Sequence, residues 1–289
     1  MTYKNFNLDV DKTGEIPERV GHYELEFLRF GETTRIGKQF VSYPFHMTRP
    51  FALDRNIPFL STVYQQSSSG GMYRGDRLYS KIKLFDSAFA QVTTQAATMV
   101  QNCYGKPARQ FLEINTSNNC FFAYTPDVLV MLPGSAVISD TTISRGQGSV
   151  ILFIDAFDTF DLGQKGQVFD MISAKTKIFG PKEDLVALDC FHITGRSLLE
   201  ANSPIGSWRT VINCLLLGDL ETLPSQEVLE ACGTTTQDCI IGVSNLPNGA
   251  GLCLRVLCKS SIAAKLVMNQ IFSKCIVHLT GYYPEPRKK

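Results

Sequence analysis

From about residue 22 to 195, apolar residues fall in runs of roughly 5 to 9 positions, punctuated by Gly, Pro, Asn and Asp at the spacing of about 8 to 12 residues typical of all-β folds. The runs include HYELEFLRF (22–30), KQFVSYPF (38–45), FLSTVYQQ (59–66), RLYSKIKLF (77–85), AQVTTQAATMV (90–100), RQFLEI (109–114), CFFAYT (120–125), SVILFIDAF (149–157) and LVALDCFHI (185–193). Alternation is clearest in the fourth. Leu78, Ser80, Ile82 and Leu84 share one face and Tyr79, Lys81 and Lys83 the other, the pattern of a half-buried strand. PGSAVISDTTISRGQGS (133–149) is rich in small residues and reads as turns between layers. No fixed-period repeat is visible.

Past residue 205 the pattern changes. TVINCLLL (210–217) is a continuous apolar strand, and Thr222-Leu223-Pro224-Ser225 opens a helix that Gly233 closes. Two strands, CIIGVSNL and LCLRVLCK, flank a PNGAG turn. Ile262, Leu266, Met268, Phe272, Cys275, Ile276 and Leu279 then recur at helical spacing up to Gly281. The expected architecture is mainly β: a layered or helical stack of short strands over residues 1–205, and a C-terminal β-α-β-β-α portion over 206–289 packed on it, with helices near 224–232 and 262–279.

Composition narrows the function classes. The 289 residues carry 28 Lys+Arg against 27 Asp+Glu, a net charge of +1, and the one basic cluster is Arg287-Lys288-Lys289. Nucleic-acid binding is therefore not expected. No apolar run approaches the ~18 residues of a membrane span and the first residues lack the apolar core of a signal peptide, so a cytoplasmic protein with no membrane partner is expected. The nine cysteines form no C-x-x-C pair or zinc spacing. They read as reduced, mostly buried small hydrophobes.

Three carboxylates stand out. Asp76 lies in SSSGGMYRGDRL (67–78), where Gly70, Gly71 and Gly75 suit a β-connection at positive φ. The string is no P-loop, because it lacks the Gly-Lys-Ser/Thr ending and leads into a strand. Asp76 either braces this turn or is carried by the glycines to a cavity wall. Asp155 shares a strand face with Ile151, Phe153 and Phe157, and Asp189 shares one with Leu185, Ala187 and Phe191. A charge on an apolar stripe must face water, accept hydrogen bonds, pair with a cation or be protonated. Cys190 and His192 point the other way at a spacing that suits two ligands of one metal, but two ligands make no closed site. No G-x-S-x-G, H-E-x-x-H or other nucleophile constellation occurs, so no catalytic residue is assigned.

At the Gly70-Gly71-x-x-x-Gly75-Asp76 string the chain resembles the UreD/UreH family of urease accessory proteins. Arg49-Pro50-Phe51 matches the family's Arg-Pro-Phe-Tyr, with Ala52 for the tyrosine, and TTQAATMVQN (93–102) its Thr-Thr-x-x-Ala-x-Lys segment, with Met99 for the lysine. Tyr124-Thr125-Pro126-Asp127, Leu132-Pro133-Gly134-Ser135 and the strands ending at Asp155 and Asp189 follow in family order, covering roughly residues 40 to 220. The family's Gly-Arg-x-x-x-Gly-Glu block is replaced by Phe160–Gln167, where only the later glycine survives.

The resemblance implies a non-catalytic assembly protein. Such a protein binds apo-urease and a helical F-type accessory protein, which recruits a G-type GTPase, and nickel passes through the complex to the urease active site. Asp76, Asp155 and Asp189 are the expected oxygen waypoints, with no tightly bound cofactor. Hard oxygen ligands bind nickel more weakly than a Cys/His cage, which suits an ion in transit. The competing expectation is a β-rich hydrolase or sugar-active enzyme using two of these acids as acid and base.

Overall fold

The computed structural model describes residues 18–85, 87–160, 166–200, 203, 205–234 and 238–287. Strands account for 50% of the chain and helices for 14%, so the mainly β expectation holds. The first sheet contains β1 (Val20–Phe30), β2 (Thr33–Val41), β5 (Arg77–Phe85), β8 (Ala108–Thr116), β11 (Ala136–Ser144), β13 (Met171–Phe179) and β14 (Leu185–Thr194). The second contains β3 (Phe45–Met47), β4 (Leu60–Ser67), β6 (Phe89–Thr94), β7 (Thr98–Val100), β9 (Phe121–Thr125), β10 (Leu129–Met131), β12 (Val150–Thr159), β15 (Thr210–Leu217), β16 (Cys239–Asn245) and β17 (Gly251–Cys258).

Between β4 and β13 the chain alternates between sheets, each coil adding a strand to both. The orders are therefore β14-β13-β11-β8-β5-β1-β2 and β16-β17-β15-β12-β9-β6-β4-β3. Pairing is parallel within the coils, β5 with β8 and β8 with β11 on one side, β4 with β6 and β6 with β9 on the other. The result is a stack of β-coils.

The second sheet is largely apolar on both faces, which is why SVILFIDAF and TVINCLLL read as hydrophobic runs broken mainly by Asp155 and Asn213. Its outer face is covered by α1 (Gln226–Thr234) and α2 (Ser261–Thr280); Leu152, Ile154, Ile212 and Leu216 meet Val267, Ile271 and Cys275 there. Helix α2 starts where Ser260 Oγ accepts from the Ala263 amide at 3.2 Å and ends at left-handed Gly281. Ser260→Ala is expected to lower stability by about 1 kcal/mol in urea unfolding. Helix α1 begins one turn after Thr222, which lies in a 3-10 turn instead.

The sequence expectation fails at residues 133–149. Instead of turns, this stretch contains β11, a central strand bonded on both sides. Its inward positions are Val137, Ser139, Thr141 and Ile143, so polar residues occupy the middle and hide the apolar alternation. β13 escaped notice for a related reason, because Ala174 and Thr176 separate inward Ile172 from Ile178. AQVTTQAATMV divides into β6 and β7, and KQFVSYPF into β2 and β3.

Arg287, the first residue of the C-terminal basic cluster, is buried against Asp54, donating from Nη1 and Nη2 at 2.8 Å each, and its guanidinium lies over Phe272. Seven of the nine cysteines are buried, Cys239 is half-buried and Cys190 is exposed; all are free. The segment Asp161–Lys165, within the block where the family pattern departs, lies outside the described residues.

Candidate passage between the sheets

The space between the sheets holds apolar clusters at both ends of the strands and a polar band between them. One cluster gathers Leu78, Ala108, Val137 and Ile172, and the other Ile82, Ile114, Ile143 and Ile178. The intervening inward residues share a rung. Across the first sheet, Tyr23 pairs with Ser80, Ser80 with Leu112, Leu112 with Thr141, Thr141 with Thr176 and Thr176 with Asp189. On the second sheet, Gln65 pairs with Thr94, and Asp155 with Asn213, which pairs with Arg255. Strand register, parallel within the coils and antiparallel at the β13–β14, β12–β15 and β15–β17 pairs, lines these positions up into a polar band that Leu112 interrupts.

A cavity of about 380 Å³ lies along this band. It reaches from the exposed loops around Ser67–Gly71 and Gln95–Ala97, past Ser80, Gln110, Thr141 and Tyr124, to Asp155. Gln65 spans the sheets, donating to Ser80 Oγ at 3.4 Å and accepting from the Tyr124 hydroxyl at 3.4 Å. Beyond Asp155 the band continues in side chains. Asn213 Nδ2 donates to Asp189 Oδ2 at 2.8 Å, and Arg255 Nη2 to Asp189 Oδ1 at 2.5 Å. The Arg255 side chain is 45% exposed, so the band ends at the far surface.

Electrostatics differ among the three acids. Enclosure raises the Asp155 carboxyl to about 6, the neighbouring Asp189 charge pushes the same way, and Arg255 opposes both. Burial also raises the Tyr124 hydroxyl, with Asp155 adding to the effect. Asp189 is neutralised by Arg255 across the inter-sheet gap. The structure thus brings Asp155 and Asp189 together around Asn213.

It does not bring Asp76 to them. Asp76 is buried and does not line the cavity. One oxygen accepts from Arg19 Nε at 2.7 Å; the other accepts from Arg19 Nη2 and from the Tyr73 amide, the latter at 2.8 Å. Arg19 also donates to the Gly71 carbonyl at 3.2 Å and lies over the Tyr73 ring. The carboxylate therefore holds the glycine loop, whose Gly70 and Gly71 do line the cavity. Gly71 has φ +130°, and a Cβ there would strike the Met99 carbonyl oxygen, because the loop pairs closely with β7. Two of the strings quoted for the resemblance, the Gly-Gly loop and TTQAATMVQN, are thus neighbours in space.

Cys190 and His192 are exposed on the outer face of edge strand β14, away from the acids. Among the described residues no cluster of three or more His, Cys, Asp and Glu side chains can hold a metal ion. At the inner end of the band Asp155, Asp189 and the Asn213 amide oxygen are hard donors, and Asp127 also lines the cavity. Sequence reasoning passed over Asn213 and Arg255. Each interrupts an apolar run, TVINCLLL and LCLRVLCK, and the same signal singled out Asp155.

No described helix is long and apolar enough to cross a membrane. The family model of the UreD urease accessory protein matches residues 19–288. Urease accessory protein UreD 1 of Methylorubrum extorquens is 33% identical over 270 residues, covering 92% of this chain and 90% of the relative. UreD 3 of a Bradyrhizobium strain is 32% identical over 78% of this chain and 80% of its own length, and UreD of Cenarchaeum symbiosum is 23% identical over 97% and 99%. With a family match spanning nearly all the described coils, and relatives matched along most of their own length, the chain belongs to the UreD family of urease accessory proteins.

Proposed function

We propose that this protein is a nickel-insertion chaperone and scaffold in the cytoplasm, without catalysis of its own. It binds apo-urease and the F-type accessory protein, contacts the G-type GTPase through the latter, and conducts nickel in transit to the urease active site. The observation that carries the reading is the polar band between the sheets. A band of hydroxyls, amides and two carboxylates through an otherwise apolar core lowers the barrier for a cation, whereas a closed ligand cage would retain it.

In this reading the cavity admits the ion beside the glycine loop, and Asp155 and Asp189 are successive oxygen waypoints. Asp76 acts at a distance by holding, through Arg19, the loop that forms the cavity wall. The hydroxyls of Ser80, Thr141 and Tyr124 supply neutral oxygens between the loop and Asp155, replacing part of the ion's hydration without adding charge.

The test is reconstituted urease activation with Asp155→Asn and Asp189→Asn, variants that keep side-chain size and remove the anionic oxygen. Complex formation with apo-urease and the F-type protein should persist, while nickel found in urease after a fixed time falls at least about tenfold, a barrier rise of roughly 1.4 kcal/mol. Wild-type nickel loading by both variants would defeat the conduit. Failure of both to assemble would assign the acids to architecture.

A further inference from the structure

Among the described residues the Asp155–Asp189 end of the passage holds one permanent cation, Arg255, and its position is anomalous for a conduit of positive ions. Resting on the passage reading above, we infer that Arg255 is an exchangeable counter-cation: its guanidinium occupies the Asp155–Asp189 site in the absence of metal and leaves it when a divalent ion binds.

Three observations place it there. First, Asp155, Asn213 and Arg255 are register partners on the adjacent strands β12, β15 and β17, and Asp189 reaches the same spot from the opposite sheet. A carboxylate from each sheet thus lies beside one amide, Asp189 hydrogen-bonded to it and Asp155 its register neighbour. Second, Asn213 is 3% exposed, and its Oδ1 has no hydrogen-bond partner, while its Nδ2 is committed to Asp189. A buried acceptor left open beside two carboxylates is the environment of a missing donor or cation. Third, Arg255 is unlike the chain's fixed arginines. Arg287 and Arg145 are 5% and 8% exposed, whereas Arg255 is 45% exposed, its long apolar stem allowing the charged head to move between Asp189 and water.

Charge arithmetic supplies the mechanism. With both acids ionised, Asp155 and Asp189 carry two negative charges and Arg255 cancels one. A dication arriving while the guanidinium is bound meets one net negative charge and a competing cation on Asp189 Oδ1. Once Arg255 swings to solvent, the dication meets two carboxylates and the Asn213 oxygen. Binding is thereby weakened by the work of displacing Arg255. The returning guanidinium in turn competes the metal off, so the site releases what it takes.

The experiment measures Ni²⁺ binding to the purified full chain, in complex with its F-type partner, by equilibrium dialysis with the metal alone, alongside nickel transfer to apo-urease. Arg255→Gln removes the competitor. Ni²⁺ should bind at least about tenfold tighter, the effect of roughly 1.4 kcal/mol, and transfer should slow. Arg255→Lys keeps the charge but replaces the planar guanidinium by a compact, more strongly hydrated ammonium and should fall between the two. Adding Asp189→Asn to Arg255→Gln should abolish the gain. If Arg255→Gln and Arg255→Lys both bind Ni²⁺ as wild type does, while Asp189→Asn alone still blocks transfer, the exchange idea is wrong and the passage stands. Tighter binding by Arg255→Gln with unimpaired transfer by Asp189→Asn would keep the exchange site and overturn the passage.

Discussion

Asp155→Asn should make the protein more stable at neutral pH, by up to about 3 kcal/mol, even as it removes the proposed waypoint. The carboxyl rises from 3.8 to about 6 on folding, chiefly through burial, with Asp189 adding to the rise and Arg255 opposing it. A shift of this size corresponds to about 3 kcal/mol of penalty on the ionised form. The sign follows from proton binding. The folded protein holds this proton more tightly than the unfolded chain, so the stabilising contribution is complete below pH 3.8 and is lost as pH rises through about 6. At about pH 7.5 the wild type carries the full penalty and the Asp155→Asn variant carries none. Urea unfolding at about pH 7.5 and about pH 4 should show a gain at the first and little at the second. A less stable variant at the higher pH would mean that Arg255 compensates Asp155 more than burial penalises it. A core carboxylate that lowers stability at working pH is what a site for a passing cation requires, since full internal compensation would leave nothing for the ion.

Asp76→Ala should act in the opposite direction, destabilising by about 3 kcal/mol. The side chain is 1% exposed and accepts three hydrogen bonds, two from Arg19 and one from the Tyr73 amide. Breaking a buried ion pair from one side typically costs about 3 to 5 kcal/mol, reduced here toward the lower end because Arg19 is one-fifth exposed and partly hydrated. Arg19→Ala should reproduce much of the loss, and the double variant should be far less destabilised than the sum of the two, the signature of a shared contact. The glycine loop would loosen with either change, and nickel transfer should fall in proportion to folded complex. A double variant with additive losses would separate Arg19 from Asp76. Unchanged stability of Asp76→Ala combined with lost transfer would return Asp76 to the waypoints.

How far the sequence reveals this protein differs from element to element. Where a strand is apolar along most of its inward face or on both faces, as in HYELEFLRF, SVILFIDAF and TVINCLLL, periodicity places it within a residue or two. Helix α2 is equally legible, with a hydroxyl cap at one end and a left-handed glycine at the other. β11 and β13 are not, and the cause is the passage itself. Their inward Ser139, Thr141 and Thr176 belong to the polar band, so the residues that make the band also erase the hydrophobic alternation that would announce the strands.

The same division runs through the candidate site. A lone acid on an apolar stripe marks Asp155 and Asp189 locally, because an uncompensated charge in such a place is costly wherever the strand lies. The glycine loop likewise declares a tight backbone approach, and Gly71 meets it at the Met99 carbonyl. Local pattern cannot say which acids meet. Strand register, antiparallel at the β13–β14, β12–β15 and β15–β17 pairs, and the spacing of the two sheets carry Asp189 of β14 to Asn213 of β15 and Arg255 of β17, residues separated by 24 and 66 positions in the chain. Asp76, the acid in the most distinctive string, is instead directed to Arg19, 57 residues away, because the turn presents its carboxylate to the start of β1. The sequence by itself therefore determined the strand-rich class, the C-terminal helices and the unusual acids, all of which depend on neighbours along the chain. Only the tertiary structure decided which acid braces the loop, which lines the cavity and which meets Asn213, because pairing across sheets depends on register summed over many coils.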